Sequence, residues 1–249
     1  MSPSPPPIIR LQNVWKRLGD RDVLRGMSFE VRAGETFVIM GGSGGGKSVT
    51  LKHMIGVLQP DSGSVIVDGT EVPKLDRMGL MTLRKRIGYL FQSGALINWM
   101  TVFDNVALPL KENTKLTPHE IRGRVMDALQ MVEMEHAAEQ LPGGISGGMK
   151  KRAGLARALV TDPRIILYDE PNAGLDPVMS DTVNRIILSV QQKLGVTSVV
   201  VTHRRACAMT VGDRIALIER GQVTTQGTIS EMRHSEHPMA RQFLAASVD

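Results

Sequence analysis

At 249 residues, with 42% hydrophobic and 22% charged side chains, the chain has the composition of a globular protein able to bury a sizeable core. No apolar stretch approaches the roughly 20 residues needed to cross a bilayer, and a single cysteine, Cys207, excludes an internal disulfide framework. The net charge of +5 is scattered, with runs only at Arg84-Lys85-Arg86 and Lys150-Lys151-Arg152; with 4% aromatics for base stacking, it reads as a solvated basic surface and predicts no nucleic-acid partner.

Residues 1–7, rich in proline and serine, lack the charged and apolar regions of a signal peptide and are expected to form a disordered lead. Ile8–Val14 and residues 23–31 alternate in polarity, as antiparallel strands do, and Gly69 and Gly221 mark hairpin-like stretches. Thr36–Met40 is continuously apolar, the pattern of a strand buried on both faces.

Directly after it comes Gly41-Gly42-Ser43-Gly44-Gly45-Gly46-Lys47-Ser48, then helix-compatible sequence from Val49 to Leu58. This is the spacing of a phosphate-binding loop between strand and helix. Its glycines free the backbone so that successive N–H groups can face one phosphate chain. Lys47 supplies a point charge for the β- and γ-phosphates, and the Ser48 hydroxyl a ligand for Mg²⁺. A nucleoside triphosphate is the expected ligand.

Beyond the strand candidates Val65–Val67 and Ile87–Phe91, residues of about 93–160 turn helical. Thr117-Pro118-His119-Glu120 forms a capping-box start for a helix expected to run toward Ala138, and Leu141-Pro142-Gly143-Gly144 ends that stretch. Ser146 can cap the helix Lys150–Val160, leaving an N-terminus of the kind that binds anions. Ile165–Tyr168 is an apolar strand ending in adjacent carboxylates, with Asp169 placed to hold Mg²⁺ and Glu170 to polarise an attacking water. Asp176-Pro177 starts a further helix, and Ser198–Thr202 and Ile215–Ile218 complete the strands. Cys207, in Ala206-Cys207-Ala208-Met209, reads as packing.

Taken together, these motifs resemble the ATP-binding cassette (ABC) ATPases over nearly the whole chain. Gly41–Ser48 is similar to the family's Walker A loop, Ile165–Glu170 to its Walker B strand with catalytic glutamate, and Ser146-Gly147-Gly148 to its signature motif. Ala173–Asp176 resembles the D-loop, Thr202-His203 the switch histidine, and Gln92 the Q-loop glutamine. The resemblance implies an α/β P-loop fold: a mainly parallel sheet, an antiparallel β flank and an inserted helical subdomain. One such domain would span 8–249, with the subdomain at about 93–160 and a short tail at about 231–249.

It further implies ATP hydrolysis by a head-to-tail homodimer, with each ATP between one chain's Walker loop and the other's signature helix. Glu170, His203 and Gln92 would be catalytic, and Ser48, Gln92 and Asp169 the Mg²⁺ ligands. Gly41 through Ser48, Val49 and Leu18 would bind nucleotide, and Ser146, Gly147, Gly148 and Asp176 would act at the shared site. Three departures stand out. Ile145 and Met149 replace the usual leucine and glutamine, Arg204-Arg205 replace the commoner acidic residue, and Leu18 stands where an aromatic commonly stacks on adenine, which leaves base selectivity undefined.

The stretch Phe91-Gln92-Ser93-Gly94-Ala95-Leu96-Ile97 resembles the ATPases of Mla/Mce-type lipid transporters, as does the tail His237–Leu244. This implies a permease docking near 92–110, an Mce-type lipid-binding protein and a small accessory subunit as further partners, and a place at the cytoplasmic face of the inner membrane. Transport of another cargo, such as an amino acid or a lipoprotein, is the alternative; a non-transport ABC protein would be expected to carry tandem cassettes or a long coiled coil.

Overall fold

A computed structural model describes residues 6–245. Residues 1–5 of the expected lead and 246–249 of the expected tail lie outside the described residues. In chain order the elements begin with β1 (Ile9–Leu18), β2 (Arg21–Val31), β3 (Thr36–Met40), α1 (Lys47–Met54), β4 (Ser62–Val67), β5 (Thr70–Glu71) and α2 (Arg77–Arg84). They continue with β6 (Ile87–Leu90), α3 (Val102–Asn113), α4 (Pro118–Met131), α5 (Gly147–Leu159), β7 (Ile165–Asp169) and α6 (Pro177–Leu194). The last are β8 (Thr197–Thr202), α7 (Arg205–Val211), β9 (Arg214–Glu219), β10 (Gln222–Thr228), α8 (Ile229–His234) and α9 (Pro238–Ala245). Two compact units divide them: one runs up to Leu83 and resumes at Thr197, and the other is Arg84–Val196.

In the first unit, β3 lies between β8 and β9 and parallel to both, with Val38 opposite Val200 on one side and Ile215 on the other. Such a central strand meets neighbours on both edges and packing on both faces, so it tolerates no polar alternation. Phe37, Val38, Ile39, Val199, Val200 and Val201 are accordingly all inaccessible to solvent. β10 pairs antiparallel with β9 across the turn at Gly221. A second, antiparallel sheet has the order β2-β1-β4-β5. Phe29 of β2 and Phe37 of β3 stack with centroids 5.3 Å apart, joining the two sheets. The α/β P-loop architecture with its antiparallel flank is thus as the motifs imply.

The second unit pairs β6 with β7 in parallel, Ile87 opposite Ile165. Gly88 lets the carbonyl of Ala158 come within 2.4 Å of where a Cβ would sit, so α5 lies close against the strand. α4 has the expected capping box, Thr117 Oγ1 accepting from Glu120 N and the Glu120 carboxylate accepting from Thr117 N. It stops at Met131, short of Ala138, because Glu133 turns left-handed at φ 57 and the chain resumes only as a single turn at Glu135–Ala137. α6 runs from the Asp176 cap to Gly195, which ends it in the left-handed region.

Arg84, Lys85 and Arg86 are exposed as expected, but the run Lys150-Lys151-Arg152 departs from the expected solvated surface. Lys151 is buried, and Arg152 donates to the carbonyls of Val132 and Glu133 at the end of α4. Helix-end carbonyls left without partners attract such donors, which local sequence does not reveal. Among the described residues no helix is long and apolar enough to cross a membrane.

Candidate functional site

The phosphate loop belongs to the first unit, between β3 and α1. Gly46 is left-handed at φ 93, and a Cβ there would sit 2.7 Å from Leu24 Cδ2 and 3.0 Å from the Val23 carbonyl. Glycine is required on both counts, conformation and space. Thr50 Oγ1 donates back to the Gly46 carbonyl at 2.9 Å and closes the first turn of α1. Lys47, buried, extends its ammonium across the loop to the carbonyls of Gly41 and Gly42 at 2.8 and 3.1 Å. The exposed backbone of Gly42, Ser43 and Gly44 forms the outer turn, and Ser48 and Val49 open the helix.

The same unit holds Leu18, 41% exposed at the end of β1, and His203, exposed directly after β8. Of the two arginines that follow the histidine, Arg204 bonds through its backbone and Arg205 through its side chain. Arg204 N donates to Thr202 Oγ1 at 3.0 Å, and the Arg205 guanidinium lies 5.8 Å from the ring centre of Phe243 in α9. A cation–π contact rather than an acidic group therefore secures α7.

The second unit holds the carboxylates. Asp169 closes β7 and Glu170 follows with φ 49; both are buried. A left-handed non-glycine residue in such a place is held against strain of about 1–3 kcal/mol. Lys151 contributes to that hold, its ammonium donating to the carbonyls of Glu170 at 3.2 Å and Ala173 at 2.5 Å. The Tyr89 hydroxyl donates to Asp169 Oδ2 at 3.1 Å. Burial first, and then the Asp169 charge, push the Tyr89 hydroxyl far above its ordinary range, so it stays a donor.

Ser146 Oγ accepts from Met149 N at 3.2 Å and Asp176 Oδ1 from Met179 N at 2.9 Å, so both act as the expected helix caps. The two helix starts meet, since a Cβ on Gly148 would fall 2.5 Å from Met179 Cε, whereas Gly147 has open space. Gln92 is exposed after β6. Two residues that sequence reading missed hold the chain beyond it, Arg157 at Gly94 and Ala95 and Asn105 at residues 97–101. Arg157 donates to the carbonyls of Ala95 and Gly94 at 2.8 and 2.9 Å. Fully buried Asn105 accepts from Ile97 N at 2.7 Å and shares its amide hydrogens among the carbonyls of Ile97, Met100 and Thr101.

The structure thus brings Gly41–Val49 around Lys47, sets Asp169 and Glu170 beside Tyr89 and Lys151, and joins the Ser146–Gly148 helix start to that of Asp176. Lys151 is expected to matter for stability as well as chemistry. Lys151→Met leaves two carbonyls without their ammonium, and stability should fall by about 2 kcal/mol or more. Paired urea unfolding curves check this; an unchanged midpoint would remove Lys151 from its supporting role.

A family model described as ABC transporter matches residues 24–173. The chain is 42% identical over 236 residues to the probable ribonucleotide transport ATP-binding protein mkl of Mycobacterium leprae, a match over 95% of this chain and 68% of that one. It thus spans about two thirds of the length of such mycobacterial relatives. It is 36% identical over 242 residues to the intermembrane phospholipid transport system ATP-binding protein MlaF of Escherichia coli K12, 97% of this chain and 90% of that one. A solved dimeric ATP-binding cassette, MJ0796, in a post-hydrolysis state bound to ADP and Pi, superposes with a TM-score of 0.82 at 33% identity, covering 88% of this chain and 98% of that one.

Proposed function

This chain belongs to the ABC transporter family and is an ATP-hydrolysing, ATP-binding subunit, and from that premise we propose that it drives movement of phospholipids or related lipids across a bacterial envelope. The observation that carries the cargo is the Gln92–Leu96 segment, similar to Mla/Mce ATPases and braced by Arg157. The likeness to MlaF along 90% of that protein's length supports it.

In this proposal two copies pair head to tail, and neither completes a γ-phosphate site alone. Gly41–Val49 of one copy hold the phosphates, and Leu18 offers apolar contact to the base. Ser146, Gly147 and Gly148 of the other copy present a helix start to the same ATP, with Asp176 coupling the two sites. Glu170 accepts the proton of the attacking water, and Gln92 and His203 sense the γ-phosphate. Ser48, Asp169 and Gln92 each carry the hard oxygen donor that Mg²⁺ takes, and are assigned as its ligands. When bound, the ion neutralises charge on the β- and γ-oxygens.

A separate permease is assigned to residues 92–110, where Trp99 is 81% exposed, with Phe91, just before that stretch, 44% exposed. The protein would then sit peripherally at the inner face of the membrane, and an Mce-type lipid-binding protein and a small accessory subunit complete the proposed assembly. The domain limits of 8–249, with a helical subdomain at about 93–160 and a tail at about 231–249, are carried as part of the same proposal.

The relative named for ribonucleotide transport favours a second cargo. Reconstituting the intact complex in vesicles separates the two. The lipid reading expects ATP-dependent transfer of a fluorescent phospholipid to or from the captured lipid-binding protein. Transfer of labelled nucleotide or amino acid without lipid movement would overturn it.

A further inference from the structure

We propose that Arg21 is a nucleotide-binding residue, its guanidinium adding a second positive charge to the phosphate chain held at residues 41–48. This rests on the reading of that loop as the nucleotide cradle. The β1–β2 hairpin turns at Gly19 and Asp20 and places Leu18 directly opposite Arg21. Leu18 has no π-face, so the hairpin's end offers a base no stacking surface there. What it does offer is a charge.

β2 runs along the phosphate loop. The Val23 carbonyl and the Leu24 side chain are the groups that confine Gly46, at 3.0 and 2.7 Å from its Cβ position. Arg21 shares a strand face with Val23, two residues on. Arg21 Nη2 donates to the carbonyl of Gly44, the third glycine of the loop, at 3.3 Å. A Cβ on Gly44 would meet Arg21 Nη2 at 3.3 Å and Nη1 at 3.6 Å, so the whole planar fork lies against the loop's outer turn.

A guanidinium carries five N–H donors in a fixed plane, and the Gly44 contact engages one of them. Its planar fork matches phosphate oxygens better than an ammonium does. Nearby Asp22 alternates to the other face and pairs with Arg17 at 3.9 Å. Arg21 itself is exposed, so its charge faces an incoming ligand. The contact is to phosphate, and it does not discriminate between bases.

The test is a set of dissociation constants for ATP, GTP and inorganic tripolyphosphate with the full chain, at low and high salt. The proteins are wild type, Arg21→Ala, Arg21→Lys and Lys47→Ala. Arg21→Ala should weaken all three ligands by about the same factor, roughly tenfold. Its salt dependence should become shallower, as expected when one charge is removed, and Arg21→Lys should restore part of both. The melting temperature without ligand should stay at the wild-type value.

Unchanged affinity, a loss confined to ATP and GTP, or an equal fall in ligand-free melting temperature would each overturn the proposal. They would point to no contact, to recognition of base or sugar, or to a merely bracing role. If Lys47→Ala loses binding while Arg21→Ala does not, only the role of Arg21 fails. If Lys47→Ala binds like wild type, the cradle reading fails with it.

Discussion

Glu170→Gln is expected to bind ATP as tightly as wild type, to turn it over about 10²–10⁴ times more slowly, and to accumulate as an ATP-bound dimer. The reason lies in what the substitution leaves alone. Gln has the shape of Glu, and the left-handed backbone at φ 49 is held through main-chain carbonyls by Lys151, not through the Glu170 side chain alone. The phosphate cradle around Lys47 belongs to the other unit and keeps its hydrogen bonds. Only the proton acceptor is lost. Because ATP then persists, anything that ATP holds together persists with it. Size-exclusion chromatography with and without ATP reads the dimer, and phosphate release reads turnover; turnover at the wild-type rate would remove Glu170 from catalysis.

The second large effect is expected from Ser146→Arg. Ser146 caps α5 through Met149 N, and next to it Gly147 faces open space on the same helix start. An arginine there loses a cap worth about 1 kcal/mol and sets bulk and positive charge at the positive end of the helix. Folding should survive that loss, but closure on ATP of a second copy should not, and turnover should fall to background. Mixed dimers locate the defect. With one mutant and one wild-type chain, the failing site should be the one whose phosphate loop is wild type. Failure in the mutant's own loop would show that the helix start acts on its own chain's nucleotide.

Much of this site was legible because its signals are local. The phosphate loop is eight consecutive residues, and the caps Thr117, Ser146 and Asp176 each act three residues along the chain. The strands β3, β7 and β8 announced themselves by the apolar runs at their centres, Phe37–Met40, Ile165–Leu167 and Val199–Val201, since a strand packed on both faces has no solvent side to alternate toward.

What escaped depends on partners far away in sequence. Lys151 looked like one of three solvated cations, yet its acceptors lie 19 and 22 residues on. Arg157 reaches back 62 and 63 residues, and Arg21 forward 23. The α4 terminus was misjudged for the opposite reason: the left-handed turn at Glu133 has no glycine to announce it.

α5 ties three separate segments of its unit together. Along its 13 residues, roughly 20 Å, it carries Ser146 as cap at one end, Lys151 on the carbonyls after β7, Arg152 on the end of α4, and Arg157 on the loop after Gln92. A stiff rod with three fixed attachments, at Lys151, Arg152 and Arg157, cannot shift at one of them alone. Pressure on the proposed dimer face would therefore reach the base-bearing turn and the proposed permease groove in a single displacement, as a lever moves its load, with no relay of side chains between them.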